Sequence, residues 1–287
     1  FDLAGMFKSA TKYTAVAHTA REAVMSVQLA YKHAITGRPG PTACLFRANT
    51  LRDPVADNAL PEIHDTNRLL NVSKSVPPTA AIDAALDVLA AAKVPVIVAG
   101  NGVRISHASE TLAALADLLG APVVTSVLGK SAIAETHDMA AGPMGYTGLP
   151  LANEIVGMAD TILVVGCRLK PQDTCFEHPQ MFDPNRQRIV QIDIEPRNAS
   201  WTIPAEVALA GDADETLQLL LAGLEGRIDT PTASARRKAL TDLKAARKFF
   251  ADPMLASANV PIAPQRLVAE IHAAVPAEAV VCTDAGS

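Results

Sequence analysis

The sequence predicts a doubly wound parallel α/β domain at its centre, on three observations. Residues 93–212 hold a series of short apolar runs, at 94–98, 122–125, 161–165, 188–192 and 206–210. These runs are apolar without alternation, the pattern of strands buried on both faces, as in a parallel sheet. Helical patterns lie between most of them, and each run ends in a small or polar turn, which is strand–helix alternation. In open sheets of this kind ligands bind outside the carboxyl ends of the strands, so the turns are where function is expected.

The elements follow in chain order. Thr19-Ala20-Arg21-Glu22 has the form of a capping box. Ala23, Val27, Ala30 and Ala34 then recur at helical spacing until Gly37. Arg38-Pro39-Gly40-Pro41 forces an extended turn before a strand at 42–46. This pair has no partner for its apolar face and reads as the end of another domain. Residues 47–78 are polar, punctuated by proline and aperiodic, and read as a crossing linker. Its Asp53, Asp57, Glu62, His64 and Asp65 fit no metal-ligand spacing and read as a solvated loop. In the central domain one helix carries Ile82, Leu86 and Leu89. A second starts near Ser106 as N-cap, carries Leu112, Leu115 and Leu119, and ends at Gly120. Further helices are expected at 151–158 and 213–221. A second linker at 225–235 leads to a charged helix at 234–250, a helix opened by Pro264-Gln265, and a strand at 279–283. Both ends read as cut from something longer.

Composition narrows the function. The net charge is −5 and no long basic run occurs, so neither a nucleic acid nor an anionic membrane is an expected partner. With 49% hydrophobic residues a core is easily built. No apolar run reaches the ~20 residues of a membrane span. Cys44, Cys167, Cys175 and Cys282 form no CxxC and read as buried free thiols in a reducing, cytoplasmic setting. The seven histidines are scattered, and no Ser/His/Asp or Cys/His arrangement is suggested.

Four turns carry the candidate chemistry. Gly100-Asn101-Gly102 opens toward a helix and would let a phosphate approach backbone amides. The third glycine of a dinucleotide fingerprint is absent, since position 105 is Ile. Gly166-Cys167-Arg168 offers a guanidinium for bidentate phosphate contact. Asp193 ends a strand where a carboxylate commonly accepts a ribose hydroxyl. Gly211-Asp212-Ala213 supplies a helix N-cap, and capping alone explains its Asp. Gly129-Lys130-Ser131 resembles the end of a P-loop, but Val124 stands where that pattern needs Gly. Gly142-Pro143-Met144-Gly145-Tyr146-Thr147-Gly148 follows no recognisable strand and reads as a loop over the crevice.

These pieces together resemble the thiamine diphosphate-dependent enzymes of the acetolactate synthase type. Thr36-Gly37-Arg38-Pro39-Gly40-Pro41 is similar to the family's TGRPGPV, residues 94–102 to RPVILAGGGV, and 122–130 to IPVVTTLxGKG. Residues 142–148 resemble GMLGMHG, 160–168 resemble ADLLIAVGARF, and 191–196 resemble HIDIDP. Gly211-Asp212 matches the family's GD, and Pro264-Gln265 with Thr283-Asp284-Ala285-Gly286 resembles the start of its diphosphate-binding domain.

The resemblance implies the end of a pyrimidine-binding domain at 1–50, a linker at 51–77, and a Rossmann-like nucleotide-binding domain at 78–224. A linker and helix follow at 225–262, with the start of a diphosphate-binding domain at 263–287. It implies FAD in the central crevice, as in flavin-containing members, or ADP, as in others. The candidate contacts are Gly100, Asn101, Gly102, Thr125, Gly166, Arg168, Asp193, Ile194, Asp212 and Ala213. Where acetolactate synthases follow GAR with F-D-D-R-V, this chain has Leu169-Lys170-Pro171-Gln172-Asp173. Thiamine diphosphate and Mg²⁺ are implied for the full protein. The activating Glu would lie upstream of Phe1 and the GDG metal motif beyond Ser287, with Gly286 and Ser287 at most grazing the diphosphate. The implied activity is decarboxylation or carboligation of a 2-keto acid in a homodimer or homotetramer, the chain alone being inactive. The alternatives are a non-catalytic nucleotide-binding domain and a purely structural one of the same fold.

Overall fold

The structure, a computed structural model, describes residues 2–52, 54–56 and 59–282. The first unit runs α1 (Leu3–Ala10), β1 (Tyr13–Ala17), α2 (Ala20–Ile35) and β2 (Thr42–Phe46). β1 and β2 pair in parallel from Tyr13↔Thr42 to Ala17↔Phe46. The expected capping box is present in shifted form: Thr19 Oγ1 accepts from Glu22 N at 3.2 Å, while the Glu22 carboxylate accepts from His18 N at 2.7 Å. β1 was not anticipated, because five residues of mixed polarity beside a helix cap carry little periodic signal. Two short helices, α3 (Ala48–Arg52) and α4 (Thr66–Leu70), interrupt the expected linker. Asp65 caps α4 by accepting from Asn67 N. Asp53 and Asp57 lie outside the described residues.

The middle domain contains α5 (Thr79–Ala90), β3 (Pro95–Ala99), α6 (Asn101–Ile105), α7 (Ser109–Leu119), β4 (Val123–Thr125), β5 (Ala140–Pro143), α8 (Pro150–Met158), β6 (Thr161–Val165), β7 (Arg188–Asp193), β8 (Val207–Ala210) and α9 (Ala213–Leu224). Its sheet has the order β5-β4-β3-β6-β7-β8, and every pair is parallel. Counted from β3, this is the 3-2-1-4-5-6 order of doubly wound dinucleotide-binding sheets. All five residues of both β3 and β6 are buried, as their unbroken apolar sequence requires. Ile97, Leu112, Leu115, Leu119, Ile162, Leu163, Ile189 and Ile192 are each below 2% exposed. Full burial of each such side chain is worth about 1.5–3 kcal/mol. Leu112, Leu115 and Leu119 do share the inner face of α7, as their spacing required.

Three expectations are corrected here. Ser106 is not an N-cap; it follows α6, and its hydroxyl donates instead to Asp212 at 2.6 Å. The glycine-rich 142–148 segment does follow a strand, β5, whose Ala-Ala-Gly-Pro sequence lacks the usual strand formers. An edge position tolerates that Gly and Pro. Residues 279–282 form no strand and pair with none among the described residues; Thr283 and the residues after it lie outside the described residues.

Beyond the sheet, α10 (Thr230–Ala246) starts earlier than the expected Ser234, because Asp229 caps it and Pro231 suits its first turn. The Arg236 guanidinium docks α10 by donating to the carbonyls of Leu119 and Ala92. α11 (Pro264–Ala274) opens at Pro264 as expected. Among the described residues no helix is long and apolar enough to cross a membrane. The four cysteines are free, but only Cys167 is buried, and Cys282 is exposed.

Candidate functional site: a crevice where the strand order reverses

β3 and β6 are neighbours in the sheet, and the chain leaves them in opposite directions along its width. Their carboxyl-end turns press directly on each other. Gly100 N donates to Val165 O at 2.8 Å, and Gly102 N to Gly166 O at 3.0 Å. A Cβ on Gly102 would stand 2.6 Å from Gly166 Cα, and one on Gly166 would stand 2.5 Å from Gly102 Cα. Gly166 also has φ +58°. The glycines are therefore required by turn-against-turn packing, whatever ligand approaches them.

Above the crossing lies a crevice of about 720 Å³. Asn101, Gly102, Gly166, Arg168, Asp193, Ile194, Asp212 and Ala213 all line it. Gly100 and Thr125 do not. Gly100 is spent on the crossing, and Thr125 is 2% exposed with its hydroxyl sealed in the sheet. Its neighbour Ser126 faces the crevice instead. The 142–148 loop contributes nothing to the wall, correcting the expectation that it covers the crevice. It emerges from β5 at the sheet edge, where Met144 is fully buried and Tyr146 packs edge-on against Phe176. Lys130 pairs with Glu135 at 3.5 Å, and Gly129 packs on Ala99, so that P-loop-like stretch is structural.

Sequence reasoning missed several wall residues. The Thr36–Pro39 turn and the Val72–Ser75 stretch close the crevice from outside the middle domain. The sequence marks Arg38 through the TGRPGP motif, but places it in a turn and not at the crevice. Lys170 and Asp173 depart from the family pattern, so the resemblance does not point to them.

The charge layout is uneven. Lys74 pairs with Asp212 at 3.1 Å. Among the described residues Arg38, Arg168 and Lys170 take part in no salt bridge, so three cations line the crevice with only the longer-range charges of Asp193 and Asp173 opposite them. Burial pushes the Asp193 carboxyl up, against the hydrogen bonds from Glu195 N and the Asn198 amide and the charge of Arg38. Burial likewise raises Asp173, against the pull of Lys170 and Arg168. Beside it the Cys167 thiol is pushed up to about 12 by burial and by the Asp173 charge, so it is no nucleophile.

Asp212 is occupied. It accepts from Ser106 Oγ, Lys74 Nζ, and the amides of Asp214 and Glu215. Burial would raise its carboxyl, but those hydrogen bonds outweigh it and hold it below the ordinary aspartate range. The first turn of α9 is thereby capped by a carboxylate, which disfavours a phosphate there. Asp212→Ala is expected to lose about 1–2 kcal/mol of unfolding free energy at neutral pH. Because the folded pKa is depressed, this contribution is present above the unfolded pKa and is lost as pH falls through the lower, folded one. Urea unfolding of both proteins at pH 7 and below pH 3.8 should show the gap closing in acid.

Residues 82–220 match the family model described as the thiamine pyrophosphate enzyme, central domain. The chain belongs to the thiamine pyrophosphate enzyme family. It is 30% identical over 270 residues to a probable acetolactate synthase large subunit of Methanocaldococcus jannaschii, covering 94% of this chain and 44% of that protein. It is 31% identical over 289 residues to a probable 2-ketoarginine decarboxylase of Pseudomonas aeruginosa, covering 99% of this chain and 47% of the relative. A sulfoacetaldehyde acetyltransferase of Castellaniella defragrans is 31% identical over 223 residues, 72% of this chain and 37% of its own. The chain thus spans less than half the length of these relatives. The described residues do not fit the family's cofactor itself. No three His, Cys, Asp or Glu side chains among them gather as metal ligands, and the one Gly-Asp turn has its carboxylate committed to a helix cap.

Proposed function

We propose that this chain is the nucleotide-holding middle part of a thiamine diphosphate-dependent 2-keto acid decarboxylase or carboligase, and that its crevice takes the adenine nucleotide of FAD or ADP. The observation that carries the reading is the set of unpaired cations Arg38, Arg168 and Lys170 beside Asp193, all on one crevice at the strand-order reversal. Cations suit the phosphates, and a carboxylate at a strand end suits the ribose hydroxyls. Phosphates would lie toward Arg168 and Lys170 and away from the carboxylate-capped start of α9.

In such a protein the thiamine diphosphate supplies the electron sink for loss of CO₂, held with Mg²⁺ by residues other than those described. The part played by this chain is positional. Its packed sheet fixes the turns, and the nucleotide would tie the Thr36–Pro39 turn to the middle domain. On this reading the chain alone turns over no 2-keto acid, and the complete protein works as a homodimer or homotetramer in the cytoplasm. Exposed Met25, Val27, Leu29 and Tyr31 on α2 support the view that the first unit is covered in that assembly.

The test is to denature the purified protein and separate the released small molecules, then to titrate the nucleotide-free protein with ADP and FAD. FAD or ADP near one per chain, or binding of either at micromolar concentration, is expected. No released nucleotide and no binding at millimolar concentration of either would instead favour a purely structural crevice.

A further inference from the structure

We infer that Trp201 is a positioning residue that holds the Arg168 guanidinium ready for the phosphates of a nucleoside diphosphate. The inference rests on the nucleotide reading above and adds a residue to it. The Arg168 guanidinium carbon stands 4.9 Å from the centroid of the Trp201 ring, well inside cation–π range. Arg168 lines the crevice and, among the described residues, makes no salt bridge or side-chain hydrogen bond. The indole ring is therefore the aromatic support over which the guanidinium rests, with the Asp173 charge farther off.

The juxtaposition is built by hydrogen bonds on both sides of each residue. Gln191 on β7 is 1% exposed. Its amide donates to Cys167 O at 3.0 Å and accepts from Ser200 N at 2.8 Å. The Thr202 hydroxyl donates to Leu169 O. The residues before and after Arg168 are thus tied to the residues before and after Trp201. Ser200 adopts φ +56° where this clip forms, a conformation that non-glycine residues adopt only under local constraint.

The physical consequence is pre-organisation. A free arginine loses rotamer freedom when it grips an anion. A guanidinium held over an indole ring has already lost part of it. Its N–H groups make no hydrogen bond among the described residues and stay available to a phosphate, which they can grip in bidentate fashion. The ring should therefore contribute to binding of the phosphates and not of the nucleoside.

Trp201 is the single tryptophan of the chain, so its fluorescence reports on the site directly. Calorimetric titration with ADP and with adenosine should be run on the wild-type chain, Trp201→Ala and Trp201→Phe, with thermal unfolding of each. For Trp201→Ala the expected result is ADP binding weakened about two- to fivefold, adenosine binding unchanged, and the unfolding temperature kept. Trp201→Phe retains most of the ADP affinity, and ADP but not adenosine shifts the wild-type tryptophan emission. Trp201→Ala binding ADP as tightly as wild type, or losing ADP and adenosine equally, would overturn the positioning role alone. Wild-type protein that binds no ADP would overturn the nucleotide reading and this inference together.

Discussion

Gly166→Ala is expected to lower the unfolding free energy by about 2–5 kcal/mol and to abolish nucleotide binding. Two costs add. The residue sits at φ +58°, where a side chain costs roughly 1–2 kcal/mol. Its new Cβ would also stand 2.5 Å from Gly102 Cα, which is backbone and has no rotamer to yield. Forcing the two turns apart is overpacking, worth roughly 1–3 kcal/mol. The melting temperature should fall by about 4–20 °C. Gly37→Ala separates the two costs. Gly37 has a similar φ of +64° but nothing within 4 Å of an added Cβ, so only the conformational cost remains. Thermal unfolding of both variants decides the matter. Equal losses would mean that the turn crossing under the crevice is not tight.

Arg168→Glu is the second large effect, and it falls on binding. A charge-assisted contact is worth about 1.5–3 kcal/mol, and reversing the charge adds repulsion beside the phosphates. ADP affinity should drop by about a hundredfold or more, the loss shrinking as salt rises. Arg168 is exposed and makes no salt bridge, so beyond losing its place over Trp201 the change should cost no more than about 1 kcal/mol of stability. Titration calorimetry at two salt concentrations, beside a urea unfolding curve, measures both. Unchanged ADP affinity would remove Arg168 from the site.

What could be read from the sequence followed the strength of the local physical signal. β3 and β6 were legible because strands buried on both faces need unbroken apolar runs, and β7 because Ile189, Val190 and Ile192 carry most of it. The crevice turns were legible because they close such strands. β5 was not, since an Ala-Ala-Gly-Pro strand forms through its neighbour β4 and not through propensity. β1 was hidden for the same reason, becoming a strand only against β2. Arg38 reaches the crevice through the packing of one unit on another, which no local pattern encodes. Trp201 lies beyond a 3₁₀ turn, and only the three-dimensional clip through Gln191 brings it over Arg168. Thr125 shows the converse error: it ends a strand at the right tip, but its side chain is buried in the sheet, and the buried Ser126 after it, which caps a 3₁₀ turn, is the one that lines the crevice.

The most direct test of the nucleotide crevice is a crystal structure of the protein grown with ADP. The account predicts ADP across the β3–β6 crossing, its diphosphate on Arg168 and Lys170 and its ribose at Asp193. Density for ADP elsewhere, or none in that crevice at saturating ADP, would contradict it.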